Sequence, residues 1–299
     1  MAKVTVRVPA STTNLGPGFD ALGIALSLYN EVRLEERPEG LRIEIEGEGR
    51  ETLPRDEENI VFRAVGALYE RVGRALQGLS LHLTNRIPLA RGLGSSSAAR
   101  VGGLLGANHL LGEPLSREEL SAMATGMEGH PDNVVPALFG GFTVAALEGE
   151  RLLWSRAPLD GRFRFVVAIP EIEVATPEAR AVLPEALPHR DAVFNVQRVA
   201  LLMAALAGGD GKLLSSAMED RLHQPYRAHL MGPLDEVFRA ARDAGALGVS
   251  ISGAGSSVLA LALEAPERVG AAMEKAYLKR GIACRSLVLE VDSQGAIII

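Results

Sequence analysis

The segment Pro88-Leu89-Ala90-Arg91-Gly92-Leu93-Gly94-Ser95-Ser96-Ser97-Ala98-Ala99 concentrates the residue types best able to do chemistry in this chain. Glycines let a backbone bend and approach a ligand closely, and the free N–H groups of a helix start attract anions. Serine hydroxyls add bonds to phosphate oxygens or to a magnesium ion. Together they read as a phosphate cradle. A Walker loop requires Gly-Lys-Ser/Thr, and no lysine lies between Lys3 and Lys212. A dinucleotide fingerprint wants a third glycine where Ser97 stands, although Glu113 is at a tolerable distance. A flexible loop with Ser95 as a plain helix N-cap is the structural alternative, and three consecutive serines after Gly-Leu-Gly argue against it. Cys284 is the single cysteine, which excludes an internal disulfide and an all-cysteine metal site. His82, His109, His189, His223 and His229 have no pairwise spacing with carboxylates that suggests zinc, and read as surface or satisfied polar residues.

The cradle lies between an alternating strand and an amphipathic helix. Leu79-Ser80-Leu81-His82-Leu83-Thr84 alternates with period two, as do Val4, Val6, Val8 and the run Leu41 to Glu46. Helical spacing covers Asn59 to Leu76 and Ser95 to Leu111. The pattern weakens from Glu148 to Leu159 into a polar hairpin or linker, which places a domain boundary between 157 and 158. Beyond it come a strand at Phe163–Ile169 and helices at Pro177–Val182, Asp191–Ala207 and Leu230–Ala244. Strands at Gly248–Ser252 and Ser257–Leu263, a helix at Pro266–Arg280 and a strand at Ala283–Val291 complete an α+β sandwich pattern.

With 299 residues, 47% of them hydrophobic and 23% charged, the chain has enough apolar material for one large domain or two middling ones around separate cores, and disorder is excluded. A net charge of -6 with no basic run opposes nucleic-acid binding. The uncharged stretch Ala244 to Leu263 is interrupted by Gly245, Gly248, Gly253 and Gly255, a poor membrane helix. The N-terminus reads as a strand without the apolar core of a secretion signal, so the chain is expected to start here and to work in the cytoplasm.

Pro-x-x-x-Gly-Leu-Gly-Ser-Ser followed by small residues resembles the central motif of the GHMP small-molecule kinases. Pro9-Ala10-Ser11-Thr12-Thr13-Asn14-Leu15-Gly16-Pro17-Gly18-Phe19-Asp20 and Ile251-Ser252-Gly253-Ala254-Gly255-Ser256-Ser257-Val258 lie where that family has its other two motifs. Glu128-Gly129-His130-Pro131-Asp132-Asn133 is similar to the homoserine kinase branch, and the resemblance covers essentially the whole chain. It implies an α+β fold of two domains: an N-terminal α/β domain (1–157) like domain two of ribosomal protein S5, which binds ATP, and a ferredoxin-like C-terminal domain (158–299). It also implies phosphorylation of the side-chain hydroxyl of L-homoserine on the way to threonine.

The resemblance further implies roles for individual residues. Asn14, Asp20, His130, Asn133, Thr176, Arg180, Arg227 and Gly253 fall to the substrate. Asp20 would hold the ammonium, with a turn cap as the alternative reading, and the two arginines the carboxylate. Pro88 to Ser97 fall to the nucleotide phosphates. Asn59 falls to the adenine, or equally to the N-cap of the helix that follows. Ser96 and Glu128 would hold Mg2+, although Glu128 stands only two residues before His130 where many relatives have a longer gap. Asn133 occupies the place where mevalonate kinases carry a catalytic aspartate. In-line transfer without a dedicated general base is therefore expected, with Asn133, Ser96 and Glu128 around the reacting centre and Asp132 as the fallback base. His223 and His229 are assigned no role; because they flank Arg227, the pocket edge is the alternative to the reading as surface or satisfied polar residues. A homodimer is expected on base rates.

Overall fold

The alternating valines of β1 (Lys3–Asn14) bury one face, and the strand pairs antiparallel along its length with the long β2 (Gly18–Glu36), from Lys3 against Glu35 to Asn14 against Gly18. A computed structural model describes residues 2–299; residue 1 of the expected 1–157 unit lies outside them. β3 (Gly40–Gly47) runs through α1 (Ile60–Arg71) to β4 (Gly78–Asn85), which pairs parallel with β3 and antiparallel with β2. α2 (Ser95–Leu110) then crosses this sheet. A Cβ at Gly102 would lie 2.7 Å from Val32 Cγ2, and one at Gly106 2.4 Å from Leu34 Cδ1, so small residues let this helix sit directly on β2.

α3 (Arg117–Glu128) and α4 (Val134–Phe139) lead into the hairpin β5 (Phe142–Glu148) and β6 (Arg151–Ala157), with β5 paired to the first half of β2. The polar stretch after Glu148 is thus the turn and second strand of a hairpin on the first sheet. The second sheet begins with β7 (Arg164–Pro170). There follow α5 (Thr176–Ala181), α6 (His189–Gly208), α7 (Gly211–Ala217), α8 (Gln224–Arg227) with a 3-10 turn at Ala228–Leu230, and α9 (Leu234–Asp243). β8 (Gly248–Ile251), β9 (Val258–Ala262), α10 (Pro266–Leu278) and β10 (Cys284–Leu289) complete it. Its order is β10-β7-β9-β8 with every neighbouring pair antiparallel, a ferredoxin-like split βαβ arrangement.

Two features of the packing lie beyond the sequence pattern. The cores are not separate: Phe165, Val167 and Leu259 on one face of the second sheet join Leu202, Leu206 and Leu214 of α6 and α7 in a cluster continuous with the first domain. Only the opposite face, against α9 and α10, keeps its own core, around Val166, Val258, Val269 and Tyr277. Nor does the 158–299 unit hold its whole length. The chain leaves the second sheet after Leu289, and β11 (Ile297–Ile298) pairs with β1 at the edge of the first. A two-residue strand has no period to read; the open edge of β1 decides its place. The uncharged stretch from Ala244 forms β8 and β9. Among the described residues α6 is long and apolar enough to cross a membrane by length and composition, and it carries Arg190, Asp191 and Arg198.

Asp292 fastens the returning tail. Its carboxylate accepts from the Tyr29 hydroxyl (3.0 Å) and from the N–H groups of Gln294 (2.9 Å) and Gly295 (2.6 Å) in a buried setting. Asp292→Ala leaves these donors unpaired and is expected to lower the unfolding free energy by about 3 kcal/mol, read by urea denaturation.

Candidate active site

The loop between β4 and α2 is held from three sides. The N–H of Ser11 donates to the Leu93 carbonyl at 3.1 Å, the Ser252 hydroxyl to the Gly92 carbonyl at 2.7 Å, and the N–H of Ser257 to the Arg91 carbonyl at 3.3 Å. The Ser252 and Thr12 hydroxyls are 2.8 Å apart. Gly92 has φ +68°, and a Cβ there would lie 2.0 Å from the Ser252 carbonyl oxygen. Gly94, at φ +69°, opens α2 as an N-cap with no side-chain cap bond. A Cβ on Gly94 would fall 2.1 Å from Ser11 Oγ and 2.8 Å from Asn133 Oδ1. The backbone here is pressed flat against its neighbours, and the first turn of α2 keeps its N–H groups for an anion.

Pro88 through Ser96 line a cavity of about 370 Å³ between the two sheets. Ser97 does not. It is fully buried beneath the helix start with its hydroxyl unpartnered by protein, because the helical turn rotates the third serine into the core. The Ser96 hydroxyl donates to Glu128 Oε1 at 2.6 Å, and Arg100 pairs with the other carboxylate oxygen. The short spacing to His130 is accommodated because Glu128 ends α3 and Gly129 turns the chain through φ +87°. One hydroxyl and one carboxylate that already meet, beside the phosphate loop, fit the hard oxygen ligands that Mg2+ takes.

At one end of the cavity stand Leu53, Pro54, Ile60, Leu83 and Asn59. Asn59 makes two bonds: its Oδ1 accepts from the Val61 N–H at 3.0 Å and its Nδ2 donates to the Pro54 carbonyl at 2.8 Å. Of the two readings of this residue, the N-cap is realised, and one Nδ2 proton is left on a side chain that lines the cavity.

The other end is charged. Arg180, from α5, grips Asp20 with both guanidinium forks, Nη1 to Oδ2 at 2.9 Å and Nη2 to Oδ1 at 2.7 Å, and the bond to Asp20 raises the Arg180 pKa. Asp20 sits at φ +55°, and its own N–H donates to Asn14 Oδ1 at 3.0 Å. Asn14 Nδ2 donates to the Gly253 carbonyl at 2.9 Å. Arg227 is buried at 2% exposure; its Nε donates to the Ala179 carbonyl at 2.9 Å and its Nη1 reaches the Gly253 carbonyl at 3.3 Å. Burial, and then the charge of Arg180, bring its pKa down to about 10. Both guanidinium groups lie over the Phe19 ring, at 5.4 and 5.1 Å. Thr176 opens α5 at the rim.

His130 Nδ1 is 2.5 Å from Asp132 Oδ1, the oxygen that also accepts the Asn133 N–H at 3.1 Å. Burial opposes charge on His130, but the Asp132 hydrogen bond and charge outweigh it, so its pKa rises above the ordinary 6.5. Asn133 Oδ1 accepts from the Ser11 hydroxyl at 2.8 Å, tying the His-Pro-Asp-Asn turn to β1. Asp20, His130 and Asp132 bring their ligand atoms within 4.8 Å of one another. Every substrate residue expected from the sequence therefore lines this one cavity.

Sequence reasoning missed the packing role of Phe19 and the pairing of Arg100 with Glu128. Of the readings of His223, the satisfied polar residue is the one seen: it is fully buried behind Arg227, not at the pocket edge. His229, in the 3-10 turn, is not among the residues lining the cavity. The spacing of His223 four residues before Arg227 is a signal a helix makes available; the rest has no local trace.

Comparison with known proteins gives the same outline. The model of the GHMP kinases N terminal domain matches residues 59–141, and that of the GHMP kinases C terminal matches residues 202–279. The chain is similar to a homoserine kinase of Moorella thermoacetica, 48% identical over 98% of this chain and 99% of that one. Among solved structures it resembles homoserine kinase from Cytophaga hutchinsonii at TM-score 0.90 and 34% identity, covering 100% and 98% of the two chains. An L. major mevalonate kinase, at TM-score 0.71 and 19% identity over 96% of each chain, shares the fold.

Gly92→Ala combines an unfavourable positive φ with a backbone clash; it is expected to weaken ATP binding by at least roughly tenfold, measured by titration calorimetry. Because the His130 pKa is raised on folding, the pair with Asp132 stabilises below about pH 6.5 and its contribution is lost as pH rises through the raised value. An NMR titration of the His130 ring should place its midpoint above 6.5, and below it in Asp132→Asn, where burial acts without the opposing charge.

Proposed function

The chain belongs to the GHMP kinase family, and we propose that its cavity transfers the γ-phosphoryl group of ATP to the side-chain hydroxyl of L-homoserine, giving O-phospho-L-homoserine on the way to threonine. The observation that carries this reading is the charged end of the cavity. It sets the Asp20 carboxylate and two guanidinium groups, Arg180 and Arg227, around a space that opens onto the glycine and serine loop, with Asp132 paired to His130 beside them. An amino acid zwitterion needs that set, and a sugar or mevalonate does not need all of it. Asp20 and Arg180 bond each other, and a zwitterion placed between them gives each a partner of the sign it already holds. The ammonium goes to Asp20 with Asn14, and the carboxylate to Arg180 and Arg227. Thr176, His130 and the Gly253 carbonyl close the sides.

The reaction is one of positioning and charge neutralisation. N–H groups of the loop and of the first turn of α2 hold phosphate oxygens. Ser96 and Glu128 are the residues that would hold Mg2+, which supplies neutralisation of phosphate charge. Asn133, fixed by Ser11, presents its amide near the attacking hydroxyl, whose proton passes to the phosphoryl oxygens or to solvent. Asp132 takes a positioning role in this reading, in place of the base: its Oδ1 is shared between His130 and the Asn133 N–H, and the residue is 2% exposed. The proposal includes action in the cytoplasm as a homodimer without nucleic-acid or membrane partners, on the net charge of -6 and on base rates; light scattering should read twice the 31.7 kDa of one chain.

A coupled ADP-release assay with ATP, magnesium and a panel of L-homoserine, D-homoserine, L-serine, mevalonate and galactose tests the function. Turnover confined to L-homoserine is expected. Turnover on mevalonate or galactose overturns the substrate assignment, and ATP binding without turnover overturns the enzyme. Asp132→Asn is expected to keep kcat within roughly tenfold; loss of turnover with homoserine binding intact would move the base to Asp132.

A further inference from the structure

Arg227 reaches the cavity from inside the protein, and three acceptors hold it. Nε goes to the Ala179 carbonyl, and Nη1 to the Gly253 carbonyl and to His223 Nδ1 at 3.2 Å. Nη2 has none of these bonds and remains for a ligand. His223, with no exposed surface, is fixed by its other ring nitrogen, Nε2, which lies 2.8 Å from the Gly16 carbonyl oxygen. Its ring stacks on Phe19 at 5.1 Å, the ring over which both arginines also lie. Behind it Asp220, fully buried, accepts from the N–H groups of Leu222, His223 and Gln224 at 2.8, 2.9 and 2.6 Å and from Asn195 Nδ2 at 2.7 Å. These bonds fix the start of α8, the helix that ends in Arg227.

The partners leave one protonation pattern. A carbonyl oxygen only accepts, so the proton sits on Nε2; a guanidinium only donates, so Nδ1 offers its lone pair. We infer that His223 is a positioning residue for this reaction, aiming Arg227 at the substrate carboxylate as the neutral imidazole protonated on Nε2. The inference rests on the reading of Arg227 as a carboxylate ligand. A second proton would place Nδ1–H against the guanidinium N–H 3.2 Å away and break the hold. The charges around the ring are Asp220, Arg227 and Asp20. Burial keeps His223 below the ordinary value of 6.5; Asp220 opposes this and Arg227 adds to it.

Steady-state kinetics on the full-length protein, with homoserine and ATP varied separately, tests this in His223→Asn, His223→Leu and Arg227→Lys. Asn keeps an acceptor where Nδ1 stands, and Leu removes it. His223→Leu is expected to raise KM for homoserine about tenfold with KM for ATP unchanged, and His223→Asn to stay within about threefold of wild type. Equal impairment of the Asn and Leu variants, or a homoserine KM in His223→Leu within twofold of wild type, overturns the inference. The acid limb gives a second reading that needs no Leu variant. On the acid side, KM for homoserine should rise with falling pH in wild type more steeply than in His223→Asn; parallel curves overturn the inference. An unchanged homoserine KM in Arg227→Lys overturns the reading of Arg227, and the inference with it. A raised KM in Arg227→Lys beside unaffected His223 variants overturns the inference alone.

Discussion

The Gly92 carbonyl accepts a hydrogen bond from the Ser252 hydroxyl, and no side chain fits between the two backbones. This contact joins the phosphate loop of the first domain to the glycine turn of the second, and the end of β1 is stitched to both. Thr12 lies against Ser252 Oγ, the Thr13 carbonyl accepts the Gly253 N–H, and Ser11 binds both Leu93 and Asn133. Three segments separated by some eighty to two hundred and forty residues of chain thus meet within a few hydrogen bonds. Each needs the others, because a glycine loop alone has too much backbone freedom to hold phosphate in one geometry.

From that joint the charged end of the cavity follows. Gly253 offers its carbonyl to Asn14 and to Arg227, so the turn that braces the glycine loop also fixes two polar side chains of the cavity. A guanidinium as buried as Arg227 is tolerated only because carbonyl oxygens, an imidazole and an aromatic face surround it. Arg180, more exposed, takes its fixed geometry from the bidentate bond to Asp20. The low dielectric that makes these groups costly also strengthens every charge interaction made inside the cavity. The continuous core beneath, shared between α6, α7 and the second sheet, keeps the domains at the separation this requires.

Much of the fold was legible. The period-two runs at Val4 to Val8, Leu41 to Glu46 and Leu79 to Thr84 are β1, β3 and β4, and the helical runs after Asn59 and Ser95 are α1 and α2, since one buried face leaves a clear period. β2 was not read: it pairs with three strands, and burial on both sides through its first half erases the alternation. α3 was overlooked although Ser116 and Glu119 form a capping box, a signal present in the sequence. The tail was counted with the 158–299 unit and given no strand, because β-pairing partners are set by open edges and not by the strand's own residues.

By itself the sequence determined the local chemistry: a loop of glycines and serines at a helix start and a polar turn at His130 to Asn133, whereas Arg180 and Arg227 stood out only through the family resemblance. The loop and the turn follow from residue type and short-range spacing, which the chain carries wherever it is placed. Only the tertiary structure decided which of them act together. It turned Ser97 into the core, made the Asn59 side chain a helix cap, and set Ser96 against Glu128. It also placed His223 behind Arg227 as a fixed acceptor. The reason is physical: orientation and burial depend on what packs against a residue from distant parts of the chain, and hydrogen-bond partners are chosen in space, not along the sequence.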